Sequence, residues 1–125
     1  MGCDIYAYIE TSSLQGNVWW LDAKFWCGRD YSLFGLMSGV RGGPPLFPPR
    51  GLPDDIGIGV RAELETFSPE IHSHSYLSIE EVEKVNNEYF KQHGEPSGWF
   101  LAMYGAMKGF AINGIEPRLV FWFDS

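Results

Sequence analysis

"RLVFWFDS", residues 118–125, is the stretch on which the fold turns. From Leu119 to Phe123 every residue is apolar, so a strand here has to be covered on both faces, and it is predicted to lie in the middle of a sheet. Its partner is found at the other end of the sequence. In "CDIYAYIE", residues 3–10, Ile5, Ala7 and Ile9 fall on one face and Asp4, Tyr6, Tyr8 and Glu10 on the other, the two-residue period of a strand. Leu119, Phe121 and Phe123 match the Ile5, Ala7, Ile9 face, so the two strands are expected to pair. "TSSLQGN" then turns the chain and "NVWWLD" follows as a plausible second strand of an N-terminal hairpin.

Helices account for much of the rest. Asp30 can cap a short helix carrying Tyr31, Phe34, Met37 and Val40, which the Gly39 and "RGG" segment ends. "GGPPLFPPRGLP", residues 42–53, cannot be helix or central strand because proline lacks the donor both need. Leu46, Phe47 and Leu52 imply that it packs on the domain as an ordered loop. A weak helix is expected over 60–67. "LSIEEVEKVNNEYFKQHG" is the clearest one: Ser78 and Glu81 form a capping box, Ile79, Val82, Val85 and Tyr89 make the apolar stripe, and Gly94 closes it. A last helix over 99–110 turns Phe100, Met103, Tyr104 and Met107 inward. The expected fold is therefore α+β: a single small domain, residues 1–125, with a few-stranded, mainly antiparallel sheet and about three helices.

Composition narrows the function. The formal net charge of −7 opposes direct nucleic-acid binding, which depends on neutralising phosphates, and permits an acidic protein–protein inhibitor. Arg29, Arg41, Arg50 and Arg61 nevertheless crowd the middle third, so a local cationic pocket can exist on an acidic molecule. Aromatic residues make up 16%, more than one small core needs, which suggests a lined pocket or interface. Cys3 and Cys27 form no CxxC, and the opening residues carry no signal-peptide pattern, so free thiols in a cytoplasmic chain are expected, with a single bridge between them as the alternative. "MGCDIY" fails the myristoylation pattern at Tyr6, and no apolar run reaches membrane-spanning length, so no membrane partner is expected.

Three stretches can carry chemistry. In "PEIHSHSYLS", residues 69–78, an extended backbone would project His72 and His74 to one face and Ser73 and Ser75 to the other. That spacing suits two ligands of zinc or manganese, with a carboxylate such as Asp4 completing the set, and equally suits polar residues ahead of a helix. In "PPRGLPDD", Arg50 sits on a stiff backbone suited to a phosphate or carboxylate, while Asp54 and Asp55 can accept from hydroxyls or cap the next helix. In "GRDYSLFGLMSGVRGG", Arg29 and Asp30 can form an ion pair, and Arg41 lies in a glycine-rich segment whose N–H groups can face an anion. There is no P-loop, GxGxxG or GxSxG, and neither cysteine has a histidine nearby in sequence.

Taken together, "MGCDI", "RDYSLFGLMSGVR", "PRGLPDD", "HSHSYLS" and "LVFWFDS" resemble an uncharacterised family of small phage and prophage proteins with MGCDIH, RGLPDD and GHSHS signatures. Tyr6 replaces the final histidine of the first signature, and "FSPEI" stands where relatives read WGCDG, so a metal site implied by the resemblance would have lost several ligands here. The intact blocks hold Arg29, Tyr31, Arg41, Arg50, Asp54, Asp55, His72, Ser73, His74 and Ser75, a set suited to a small anionic, hydroxyl-rich ligand. The leading expectation is a phage-type protein that sequesters a nucleotide-like host signal without a cofactor, as a homo-oligomer in the host cytoplasm. A metal-dependent phosphodiesterase using His72 and His74 is the alternative, and an acidic protein–protein inhibitor the third.

Overall fold

The computed structural model describes residues 2–12 and 18–125, and the expected turn over 13–17 lies outside them. Four strands form one sheet: β1 (Asp4–Ser12), β2 (Trp20–Trp26), β3 (Ile71–Ser78) and β4 (Glu116–Asp124), all antiparallel to their neighbours in the order β2-β1-β4-β3. β4 is central, as its apolar run requires. The terminal strands pair as expected, antiparallel, with Ile5 opposite Phe123, Ala7 opposite Phe121 and Ile9 opposite Leu119.

The helices are α1 (Tyr31–Ser38), α2 (Ile58–Leu64), α3 (Ile79–His93) and α4 (Gly98–Ile112), so the α+β class holds with four helices. Ile5, Ala7, Ile9, Leu119, Phe121 and Phe123 face α1, α3 and α4 in the main core, with Phe34, Met37, Val82, Phe100 and Met107 fully buried among them. The opposite face of the sheet carries Tyr8, Val120 and Trp122 against Val60 and Leu64 of α2 and Leu52, Ile56 and Phe67 of the loops. Strand alternation thus assigns one face to three helices and the other to one helix and the proline-rich segment.

Local signals set the helix ends. Asp30 accepts from the Leu33 N–H, and Gly39 ends α1 at φ 79, a left-handed conformation that a side chain resists. Its second carboxylate oxygen accepts from Tyr89 and Ser97, so one aspartate joins the starts of α1 and α4 to α3. Ser78 and Glu81 make both bonds of the capping box. The proline-rich loop is ordered against β3, where the Gly51 N–H reaches His74 O at 2.9 Å. That contact covers an edge strand that would otherwise present free backbone groups.

One local expectation fails. "HSHS" lies in β3, immediately ahead of α3, but its register slips between His72 and Ser75, with Ser73 at φ 56. His72 stacks on Phe123 and His74 lies over Trp122, which are consecutive residues of β4 and belong to opposite faces. The histidines therefore do not project to the same face, because the bulge at Ser73 breaks the alternation on which that expectation depended.

Candidate functional site

The residues singled out in the sequence do not converge on one place. Arg29 sits on the surface and bonds through Nε to Asp4 at 2.9 Å, and it holds that carboxyl below its usual range. Arg50 lies across the proline-rich loop and β3. It donates to Tyr76 O at 3.2 Å and through both terminal nitrogens to Glu81, while its own N–H reaches Ser75 Oγ. Phe47 and Tyr76 flank the same guanidinium, so its geometry is spent inside the fold. Asp55 accepts from Arg118 and Trp19, and Asp54 is exposed with no hydrogen-bond or ion-pair partner among the described residues. His72 has hydroxyls at both ring nitrogens, Ser73 Oγ at 3.0 Å and Ser125 Oγ at 2.8 Å. Burial, with His72 nearby, lowers the pKa of His74.

Arg41 stands apart. It is exposed at φ 57 with its guanidinium 5.5 Å from the centre of the Tyr31 ring, and no carboxylate reaches it among the described residues. A non-glycine residue at positive φ is held there by its surroundings. Here the cause is the close approach of the next two residues to α1. A Cβ on Gly35 would come within 2.9 Å of Gly43 N and 3.0 Å of Gly42 C, and one on Gly42 within 3.1 Å of Tyr31 O. Glycine on both sides lets backbone touch backbone, and the chain leaves that contact with Arg41 turned over the helix.

The result is a cavity of about 240 Å³ between α1, the 41–44 loop and the end of α3, lined by Tyr31, Ser32, Arg41, Gly42, Gln92 and His93 among others. An aromatic face, a guanidinium, an imidazole, an amide and a hydroxyl surround one opening. Such a set can hold an oxyanion at Arg41 and a flat or sugar-like group against Tyr31. Tyr31 and Arg41 were legible as candidates, whereas Gln92 and His93 read only as the end of a helix and are brought in by tertiary packing.

A second polar cluster was missed altogether. Glu10 is fully buried and Arg118 nearly so, and Arg118 Nε donates to Glu10 Oε1 at 2.8 Å. Arg118 also donates to Asp55 at 2.8 Å, the Trp19 ring lies 3.8 Å from its guanidinium carbon, and the Gly57 N–H donates to the other Glu10 oxygen at 2.7 Å. Every strong valence in this cluster is satisfied internally, which is the pattern of a buried structural network.

Among the described residues no three His, Cys, Asp or Glu side chains come close enough to hold a metal ion, and no helix is long and apolar enough to cross a membrane. Cys3 and Cys27 are free thiols, and burial pushes that of Cys27 up to about 12. Comparison with protein-family models, curated proteins and solved structures gives no match for this chain.

Proposed function

We propose that the chain is a binding protein for a small anionic, nucleotide-like molecule, which it holds in the Tyr31–Arg41 cavity without turning it over. The observation that carries this reading is Arg41: a guanidinium free of carboxylates, beside an aromatic ring and at the mouth of a cavity that also presents His93, Gln92 and Ser32. Arginine in that setting matches a phosphate by its forked donors, and the tyrosine face suits a sugar or base. The cavity, at about 240 Å³, is smaller than the roughly 300–1,000 Å³ usual for small-molecule sites. It would enclose a phosphate and the group next to it, and a second copy of the chain would cover the remainder. The resemblance to small phage proteins supports the setting: in a host cytoplasm, such a protein would withdraw a signalling nucleotide from the proteins that read it.

The test begins with the purified protein, denatured and searched by mass spectrometry for released small molecules, with the native mass taken for copy number. Calorimetric titration with nucleoside monophosphates, cyclic dinucleotides and pyrophosphate follows. The reading expects intact ligand to be recovered and affinity to fall at least about tenfold in Arg41→Ala, the size of a charge-assisted hydrogen bond. Turnover of the added nucleotide, or equal affinity in Arg41→Ala, would remove it.

A further inference from the structure

A cavity of about 370 Å³ lies on the other face of the sheet, between β1, β2 and the end of α2. Tyr6, Tyr8, Lys24, Glu63 and Phe67 form its walls. Three features define what it can accept.

Tyr8 is the first. Only 4% of the residue is exposed, its ring packs on Trp122 with centroids 4.9 Å apart, and its hydroxyl has no hydrogen-bond partner among the described residues. Tyr8 is one of the residues that line the cavity. Burial, with the Glu63 carboxylate nearby, raises the pKa of this phenol far above its ordinary value, so it stays a proton donor at all physiological pH. A phenol on the cavity wall whose donor no described residue uses is free to bond an acceptor on a ligand.

Charge is the second. Lys24 and Glu63 are ion-paired across the cavity wall, so the site is locally neutral and offers nothing to a net charge. The third is shape: Tyr6 and Phe67 meet edge to face at 4.6 Å, and Phe67 meets Trp122 in the same way at 5.4 Å, so the walls present aromatic surface. Flat π systems gain most against such walls.

We infer that this cavity binds an uncharged, flat heteroaromatic ring of the nucleobase class that accepts a hydrogen bond from the Tyr8 hydroxyl. It is a separate site from the one at Arg41, because the sheet lies between them and no small ligand reaches both. The inference therefore holds or fails independently of the proposed function.

Adenosine, which carries the ring without a phosphate, is the probe. Titrated by calorimetry and by saturation-transfer NMR, it is expected to bind the full chain and to be unaffected by pyrophosphate or by Arg41→Ala. Tyr8→Phe keeps the ring and removes the hydroxyl, and affinity is expected to fall about five- to tenfold, the worth of one hydrogen bond. Phe67→Leu, at the aromatic wall, is expected to weaken binding independently and covers the case in which Tyr8→Phe folds poorly. The inference is overturned if adenosine gives no saturable signal up to about 10 mM, if both variants bind it as the wild type does, or if pyrophosphate displaces it.

Discussion

Arg118 and Arg41 show two opposite uses of the same side chain. Arg118 is buried on β4, bonded to Glu10 and Asp55 and stacked on Trp19, so all three of its guanidinium nitrogens are engaged in joining both ends of the sequence to the α2 segment. Arg41 is exposed, touches one aromatic ring, and meets no carboxylate among the described residues. The difference teaches how to read arginines in an acidic chain. A guanidinium saturated by the fold marks architecture, and one that the fold positions and leaves unpaired marks a place for a ligand. Substitutions that separate the two should affect stability in one region and binding in the other.

The largest effect is expected at the saturated end. Glu10→Gln would leave the Arg118 charge buried with a poorer acceptor, and removing one partner of a buried pair typically costs about 3–5 kcal/mol. Urea unfolding should report a shift of that order. A loss below about 1 kcal/mol would show that Asp55, more than half exposed, can hold Arg118 alone, and would move the cluster from architecture to decoration. Gly35→Ala comes next. Alanine favours helix by about 1 kcal/mol over glycine, yet its Cβ would meet backbone atoms of the 42–43 segment at 2.9–3.0 Å. Overpacking against backbone should prevail, with a net destabilisation of about 1–2 kcal/mol. Because the same contact orients Arg41, this variant should also lose anion binding, which would tie the two regions through one helix.

How far the sequence revealed this arrangement depends on the range of each interaction. The central strand and its partner were legible because alternation in residues 3–10 and unbroken apolarity in 119–123 have to be buried together. The capping box at Ser78 and Glu81 and the cap at Asp30 were legible because their signals are confined to four residues. The bulge at Ser73 has no such signature, and a single inserted residue was enough to send His72 and His74 to opposite faces. Glu10 and Arg118 were visible as residues but not as a pair, since 108 positions separate them and only the strand register joins them. The one hint was that Glu10 continues the Tyr6, Tyr8 face, a charge on a surface that the fold covers. The cavity residues Gln92 and His93 had no hint at all, being ordinary polar residues at a helix end.

Arg50 stands between the two extremes, and pH reads it. Its hydrogen bonds hold the Glu81 carboxyl at about 2, against an ordinary value of 4.5. A depressed carboxyl stabilises the fold above its unfolded value and loses that contribution as pH falls through the folded value. The Arg50–Glu81 share should thus be complete near neutrality and disappear between about 4.5 and about 2. Both side chains are partly exposed, so solvent screening limits the share to about 1 kcal/mol. Glu81→Gln should flatten that part of the stability profile. An unchanged slope would mean that other carboxylates, Asp55 at Arg118 first among them, carry the acid response.

The smallest expected change in stability is at Arg41, and it is the most informative one. Arg41→Ala removes a surface guanidinium that has no ionic partner among the described residues and whose contact there is an exposed cation–π interaction worth about 0.5–1 kcal/mol. Alanine at φ 57 is no more strained than arginine, since both carry a Cβ. The midpoint of urea unfolding should therefore move by less than about 1 kcal/mol while anion affinity falls. Arg41→Lys keeps the charge and loses the forked donors, so it should restore stability fully and affinity only in part. If Arg41→Ala instead unfolds the protein as Glu10→Gln does, the two arginines share one structural role, and the opening beside Tyr31 is a gap in packing rather than a site.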